Sequence, residues 1–474
     1  MMDKSKPICF HELDFVLPVH RFHISFSYTD AQRLSFIREF VLRIVNINPL
    51  TPASLAQFFS LSKRELDEAL SDLVRSGDLK YRDDGTVELT NQSRSYFSGM
   101  EAIPKIEKID ETTGHFNFEL AGLNYLGAKK INKNWKFALR LNIDNERKAK
   151  SEALARKAFQ QHFQDIADRG DVKGVKDNDD NRVNLYNIGD VRKVIEKPLR
   201  ISHSFSVSHS GEFLERGDIE ELKDATEATS LITDAIGLQR QPHNFLEIFK
   251  VIDEFDDTKS KAYINDDGLD IPKILSDRQY AESSGADLTP FLGIIYTLEN
   301  WRLITGILEK NVKQPKRTGH EADELIWLAP NNPFWGKSEK VLSCLQYVRD
   351  SAKVTGKKAK KLYQPKLYLP LTENHDRLRR VCGIEFEDFD KDSLFGYTGD
   401  FCNGNVEVIV NSDLFAVVIY HLSAPDTSPI PIPFGFMTTD KSHIAYIRLR
   451  VKAFLNDIDM ATGKPHDIGQ LRPK

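Results

Sequence analysis

A chain of 474 residues and 54.1 kDa spans about two to four domains at roughly 100–200 residues each, long enough to bury a core without metal or disulfide staples. Hydrophobic residues at 40%, aromatics at 10% and a mean hydropathy of −0.42 exclude collagen-like and broadly disordered classes, and no stretch approaches the ~18 uninterrupted apolar residues of a membrane-spanning helix. The formal charge of −5 gives no global attraction to polyanions, so any nucleic-acid contact has to be a local basic patch. The chain starts MMDKSKPICFHELDF, with charges where a secretory apolar region belongs, and a cytoplasmic location is expected. Residues 21–28 alternate Phe22, Ile24, Phe26 and Tyr28 with polar neighbours, the pattern of a half-buried strand. Leu34, Ile37, Val41, Ile44 and Val45 then recur at helical spacing up to Pro49, and a short helix fits 52–59. Ser62 and Glu65 form a capping box ahead of Leu66, Leu70 and Leu73, with Gly77 as the stop. The segments 79–82 and 86–90 flank Asp84-Gly85, a type I′ hairpin signal, and a short helix is expected near 93–97.

Three helices followed by a hairpin, with the stretch SLAQFFSLSKRELDEALSDLVRSGDLKYRDDGTVELT, resemble the winged helix-turn-helix domains of bacterial regulators over residues 31–97. The resemblance implies a module whose second turn-helix helix enters a DNA major groove. In this chain that helix carries Lys63, Arg64 and Arg75 against Glu65, Asp67, Glu68 and Asp72, a balance that approaches phosphates poorly. Docking on a protein partner and contact with DNA are therefore both open, and Lys80 and Arg82 beside Asp83 and Asp84 do not decide between them.

Residues 101–145 alternate as strands, and a helix rich in Ala, Lys and Glu is expected over 145–168. Here lies the most basic window of the chain: Lys129, Lys130, Lys133, Lys136, Arg140, Arg147, Lys148, Lys150, Arg156 and Lys157 against Asp144, Glu146 and Glu152. With Trp135 and Phe137 interleaved, it is a candidate backbone-binding patch. The polar stretch 170–182 reads as a linker. Further on, a strand is expected at 199–207 and helices around 218–236, 243–255 and 289–310. His203 and His209 fall on the strand's Phe205/Val207 face and read as packing histidines, too few for a metal site. Cys9, Cys344, Cys382 and Cys402 are too far apart for a disulfide framework or a C-x-x-C site. No phosphate-loop, G-x-S-x-G or H-E-x-x-H pattern occurs, which excludes the commonest nucleotide-hydrolase and hydrolase signatures.

Toward the C-terminus, DELIWLAP (323–330) is an apolar strand, 338–349 an amphipathic helix and 366–369 a second strand. Between Asp350 and Glu373 come Lys353, Lys357, Lys358, Lys360, Lys361 and Lys366 with no acid intervening; a basic loop at 357–361 is expected. Strand–helix–strand order argues an α/β layer. With Gln364-Pro365-Lys366-Leu367-Tyr368-Leu369 and the later Thr398-Gly399-Asp400-Phe401-Cys402-Asn403 and Glu407, the region 323–422 resembles a diverged phospholipase D-like domain. The resemblance implies a phosphate cradle to which Lys366 and Asn403 contribute. The family's nucleophilic histidine is replaced by Gln364, and an amide is no nucleophile at neutral pH. The acidic run 385–392 alternates with Phe386 and Phe389 and reads as an exposed edge rather than a metal site. The run 414–422 fits strand or helix, 444–451 is strand-like, and a loose tail is expected after Met460.

The expected fold is thus a multidomain α+β / α/β protein. Its segments are a winged-helix domain with a preceding strand (1–100), a β segment with basic helix and linker (101–182), a mixed, mainly helical region (183–315), a phospholipase D-like α/β layer (316–460) and a tail (461–474). The expected function is that of a non-catalytic, nucleic-acid-associated protein, DNA being the favoured ligand, with a protein partner on the winged helix. The paired resemblances imply a bacterial defence or mobile-element setting. The alternatives are a phosphodiesterase with a displaced nucleophile, His375, His421 or His443, and a protein-binding scaffold. Expected phosphate contacts are Lys357, Lys358, Lys360, Lys361, Lys366 and Asn403, together with Lys129, Lys130, Lys133, Lys136, Arg140, Arg147 and Lys148. No catalytic residue, metal, cofactor or membrane contact is assigned.

Overall fold

The computed structural model describes residues 6–32, 36–97, 106–129, 137–173, 183–214, 226–265, 268–312, 322–355, 358–371, 386, 391–459 and 463–471. In chain order the elements begin with β1 (Ile8–Gln32), α1 (Phe36–Ile47), α2 (Pro52–Phe59), α3 (Lys63–Arg75), β2 (Leu79–Tyr81), β3 (Val87–Leu89) and α4 (Asn91–Arg94). Then come β4 (Ile106–Glu119), β5 (Leu139–Arg140), α5 (Asn145–Ala149), α6 (Ser151–Asp168) and β6 (Val183–Val207). A helical stretch follows: α7 (Thr226–Gly237), α8 (Phe245–Glu254), α9 (Thr258–Lys261), the small strands β7 (Ile264–Asn265) and β8 (Gly268–Leu269), and α10 (Ile271–Ser284). The last part holds β9 (Leu288–Leu292), α11 (Leu298–Val312), β10 (Asp323–Leu328), α12 (Lys340–Asp350), β11 (Ala352–Thr355), β12 (Lys358–Lys361), β13 (Tyr363–Pro370), β14 (Leu394–Tyr397), β15 (Val406–Asn411), β16 (Ala416–Leu422) and β17 (Ile432–Thr438). It closes with α13 (Lys441–Asn456), β18 (Ile458–Asp459), β19 (Lys464–Pro465) and β20 (Asp467–Gln470). The protein is a mixed α/β chain that divides into two compact units, each discontinuous in sequence.

The smaller unit comprises Val19–Lys130 and Asp144–Lys197. β1 pairs antiparallel with β4 from Val19↔Glu119 to Gln32↔Ile106. Alternation turns Phe22, Ile24, Phe26 and Phe116 onto one face, where they pack with Phe159, Phe163 and Ile166 of α6. The expected helix 145–168 is broken at Lys150 into α5 and α6. Inserted between β1 and β4, residues 36–97 form their own core: Val41, Leu42 and Val45 of α1, Leu55 of α2, Leu66, Leu70 and Leu73 of α3, and Leu79, Val87 and Leu89 of the hairpin.

The larger unit comprises Met1–Pro18, Ile131–Ile143 and Pro198–Lys474. Its centre is an eight-stranded sheet ordered β20-β14-β13-β10-β15-β16-β17-β9. β10, β13 and β14 run parallel; the neighbouring pairs outside them are antiparallel. β15, β16 and β17 are buried along their whole length, as strands covered on both faces must be. On one face Trp327, Leu367, Leu369, Ile409 and Val417 pack with Ile304 and Leu308 of α11 and Val341, Leu345 and Val348 of α12. On the other lies α13, whose Lys452 reaches Glu324 of β10.

Several expectations are corrected here. The stretch 289–310 is β9 followed by α11, not one helix. Residues 444–451 belong to α13, in which Ile444, Ile447, Val451 and Leu455 are buried on a helical spacing. The tail contains β20, which adds to the sheet beside β14, and 416–422 is a strand. β6 begins well before 199 and ends at Val207, so His209 lies beyond it.

Candidate functional site

The module 36–97 is built by local chemistry. Thr51 Oγ1 accepts the amide of Ser54 at 3.2 Å with Pro52 opening α2. In the capping box at α3, Ser62 Oγ accepts the Glu65 amide at 3.3 Å while Glu65 accepts the Ser62 amide at 3.0 Å. The hairpin turn is corrected from type I′. Of its central residues only Gly85 has positive φ, 80°, and the bonds Arg82 N to Thr86 O (2.8 Å) and Gly85 N to Arg82 O (3.0 Å) describe a type I turn closed by a left-handed glycine. On α3, Asp72 is held by Arg38 at 2.8 Å and Arg75 at 3.4 Å, leaving Lys63, Arg64, Asp67 and Glu68 exposed. Three cations converge on Glu88: Arg82 at 2.6 Å, Lys80 at 3.0 Å and Arg94 at 3.6 Å. Hydrogen bonds from Arg82 and Lys80 hold its carboxyl below the usual range.

The basic window is put to several uses. Lys130, Lys133 and Lys136 lie outside the described residues. Arg147 Nε donates to the carbonyl of Leu120 at 2.6 Å, and Arg156 donates to those of Ile188, at 2.6 Å, and Gly189. Lys150 pairs with Glu146 at 2.5 Å. Lys129 is exposed and Lys148 half-buried. Arg140 is exposed on β5 and belongs to the larger unit, where it borders a cleft of about 310 Å³ with Asn142, Asp234 and Gln239.

The lysine-rich segment is a hairpin, not a loop. β11 and β12 pair Ala352↔Lys361, Lys353↔Lys360, Val354↔Ala359 and Thr355↔Lys358. Positions 353, 355, 358 and 360 therefore share one face of the ribbon and 352, 354, 359 and 361 the other. Lys357 lies outside the described residues and Lys361 is exposed.

The phospholipase D-like constellation is dispersed. Lys366 pairs with Ile326, and Ile326 with Val410, so Lys366 stands on the α13 face, where its Nζ meets Glu324 Oε1 at 2.6 Å. Leu367 pairs with Trp327 and Trp327 with Ile409; Glu407, two residues from Ile409, shares that opposite face. It is fully buried and accepts both indoles at Oε1, Trp327 at 2.7 Å and Trp335 at 2.8 Å, with His421 Nε2 at 3.4 Å from Oε2. Neither tryptophan was singled out from the sequence, although both flank Ala329-Pro330, where β10 ends. Asn403 is exposed beyond the end of β14, while Lys366 lies level with the start of that strand; the two are not brought together. Cys402, Asn403 and Gly404 have φ of 49°, 56° and 73°, a left-handed turn that costs non-glycine residues about 1–2 kcal/mol each. It is pinned by Asn331 N donating to Gly404 O at 2.9 Å. Burial pushes the Cys402 thiol up to about 12, away from nucleophilic use.

The displaced-nucleophile candidates fit no better. His375 lies outside the described residues. His421 sits on the face opposite Lys366, and His443 is stacked on Phe436 with its Nε2 3.0 Å from the carbonyl of Phe255. Among the described residues no group of three or more His, Cys, Asp or Glu is placed to hold a metal ion, and no helix is long and apolar enough to cross a membrane.

No protein-family model and no curated protein matches this chain. Among solved structures, that of TrmBL2, an archaeal chromatin protein described as showing a novel mode of DNA binding, matches 89% of this chain and 92% of its own at 10% identity and a TM-score of 0.22. A TM-score that low carries no argument about fold or ligand, which leaves function to the chain's own geometry.

Proposed function

We propose that this chain is a nucleic-acid-associated protein that holds the phosphate backbone with local basic surfaces and does not hydrolyse it. The carrying observation is the lysine hairpin, in which Lys353 stands directly opposite Lys360 with Lys358 on the same face. Like charges opposite one another destabilise a ladder; a polyanion laid along that face turns the repulsion into attraction and releases counterions. The module 36–97 has the element order of a winged helix, and its exposed Lys63 and Arg64 lie in the first turn of α3, the end that meets base edges in such domains. Against hydrolysis stand the amide at Gln364, the commitment of Lys366 to Glu324 at 2.6 Å, and the opposite faces of Lys366 and Glu407.

The test is a labelled duplex incubated with the full chain, with and without EDTA, and read both for retardation and for strand integrity. Retardation with intact strands, unchanged in Lys366→Ala, is the expected result. EDTA-resistant cleavage abolished by Lys366→Ala overturns it in favour of a phosphodiesterase. A second reading of the module, docking on a protein partner, is favoured by the exposure of Phe58 (66%), Ile47 (68%) and Tyr81 (54%) in a module whose α3 also exposes the acidic Asp67 and Glu68. Replacing 31–97 by a short linker is then expected to cost partner association more than duplex affinity.

A further inference from the structure

The smaller unit carries a basic surface that no single window of the sequence contains. In the β1–β4 register His23 lies opposite His115 and Arg21 opposite Asn117, on the face turned away from the Phe22, Ile24 and Phe116 core. The two imidazole centroids are 5.0 Å apart. Arg21 Nη1 donates to Asn117 Oδ1 at 3.3 Å, and Asn117 Nδ2 donates to the carbonyl of Lys129 at 2.7 Å, which brings the exposed Lys129 to the same end. His115 and Lys173 are exposed and Arg21 and His23 half-buried. Burial lowers the pKa of His115, and Arg21, His23 and Lys173 act in the same direction.

Among the described residues, Asp190 of β6, whose amide donates to Ser25 Oγ at 2.7 Å, pairs with Arg192 at 2.5 Å. Glu119 of β4 is buried and accepts the amides of Ala121, Gly122 and Asn124. Asp171, after α6, is held by the Tyr125 hydroxyl at 2.6 Å. Glu111 is opposite Ser27, four residues or about 13 Å along the strand from His23 at roughly 3.3 Å per residue.

We propose that this face is a second phosphate-binding surface for the same nucleic acid. The inference rests on the nucleic-acid reading above. Arg21, Lys129 and Lys173 supply permanent charge. The adjacent rings of His23 and His115, with centroids 5.0 Å apart, add N–H donors for a phosphodiester oxygen on the same face.

The test is duplex binding by the full chain, followed by fluorescence anisotropy across a salt series at pH 7.5. Arg21→Gln with Lys129→Gln should lower the log–log salt slope by about two, near 0.9 per phosphate contact. Lys129→Gln with Lys173→Gln, both at exposed positions, repeats the test if the first variant fails to fold. Variants that keep the full slope overturn this surface while leaving the nucleic-acid reading intact; a wild-type chain that binds no duplex at low salt overturns both.

Discussion

Asp14 shows how a single side chain ties β1 into the larger unit. Its carboxylate accepts Ser202 Oγ at 2.6 Å and the amide of Glu339 at 2.8 Å, so it serves as the missing cap at the start of α12, which has no side-chain cap of its own. Burial pushes its pKa up to about 6 from 3.8, against the pull of Ser202 and Arg200. A raised carboxyl pKa means that the native state binds the proton more tightly than the unfolded state does. The group's contribution is therefore complete below about pH 4 and lost as the pH rises through 6, a change of about 3 kcal/mol at 1.36 kcal/mol per pKa unit. Asp14→Asn is expected to gain on wild type by about that amount between pH 4 and pH 7 in urea unfolding; a difference independent of pH contradicts the assignment. Glu407 gives a second residue-scale prediction. Glu407→Ala strands two buried indole N–H groups and should cost ~3–5 kcal/mol, whereas Glu407→Gln keeps a carbonyl acceptor and should cost much less, as thermal unfolding with tryptophan fluorescence will report. Neither role was legible in the sequence: the amide that Asp14 caps lies 325 positions away, and nothing in the spacing of Trp327 and Trp335 announces a shared acceptor 72–80 residues on.

At the scale of elements, local chemistry was legible and long-range partnership was not. The capping box at Ser62, the strand DELIWLAP, and the helix after it follow from caps and periodicity, and all stand where those signals put them. Ser62→Ala is expected to destabilise the 36–97 module by about 1 kcal/mol, read by hydrogen exchange of α3 amides. β9 and α11 are separated after Gly293, whose φ of 91° and close approach to the Phe10 backbone leave no room for a Cβ and end the strand; sequence periodicity alone does not show that approach. In α13, Ile447, Leu449 and Val451 alternate with Arg448 and Arg450 and so mimic a strand in a short window, although Leu449 is exposed and the buried positions follow helical spacing. Asp467–Gln470 has no apolar pattern and so reads as loose from sequence; its bonds to β14 are backbone bonds, which carry no side-chain signature. Truncation after Asp459 uncovers the β14 edge, and exposed edges invite intermolecular pairing. Lower solubility and a lower Tm than wild type are expected; an unchanged Tm would show that β20 contributes nothing to the sheet.

For the whole molecule, the passage of β1 and β6 from one unit to the other coincides with Pro18 and Pro198, residues that lack the N–H a central ladder needs. Those prolines were visible in the sequence, but their meaning depends on knowing that both strands are 25 residues long. Charge behaves likewise. The chain is net acidic at −5, yet some of its cations meet on the β11–β12 ribbon, around Glu88 and on the His23/His115 face of β1 and β4, while Arg147 and Arg156, counted in the basic window, are bound to backbone carbonyls. The central claim is that the lysine hairpin meets phosphates, and counterion release measures it directly. Affinity for one labelled duplex, followed from low to moderate salt, is compared between wild type and the Lys353→Gln, Lys358→Gln, Lys360→Gln triple variant. The account predicts weaker binding to every sequence and a log–log slope shallower by about three; equal slopes for the two proteins would contradict it.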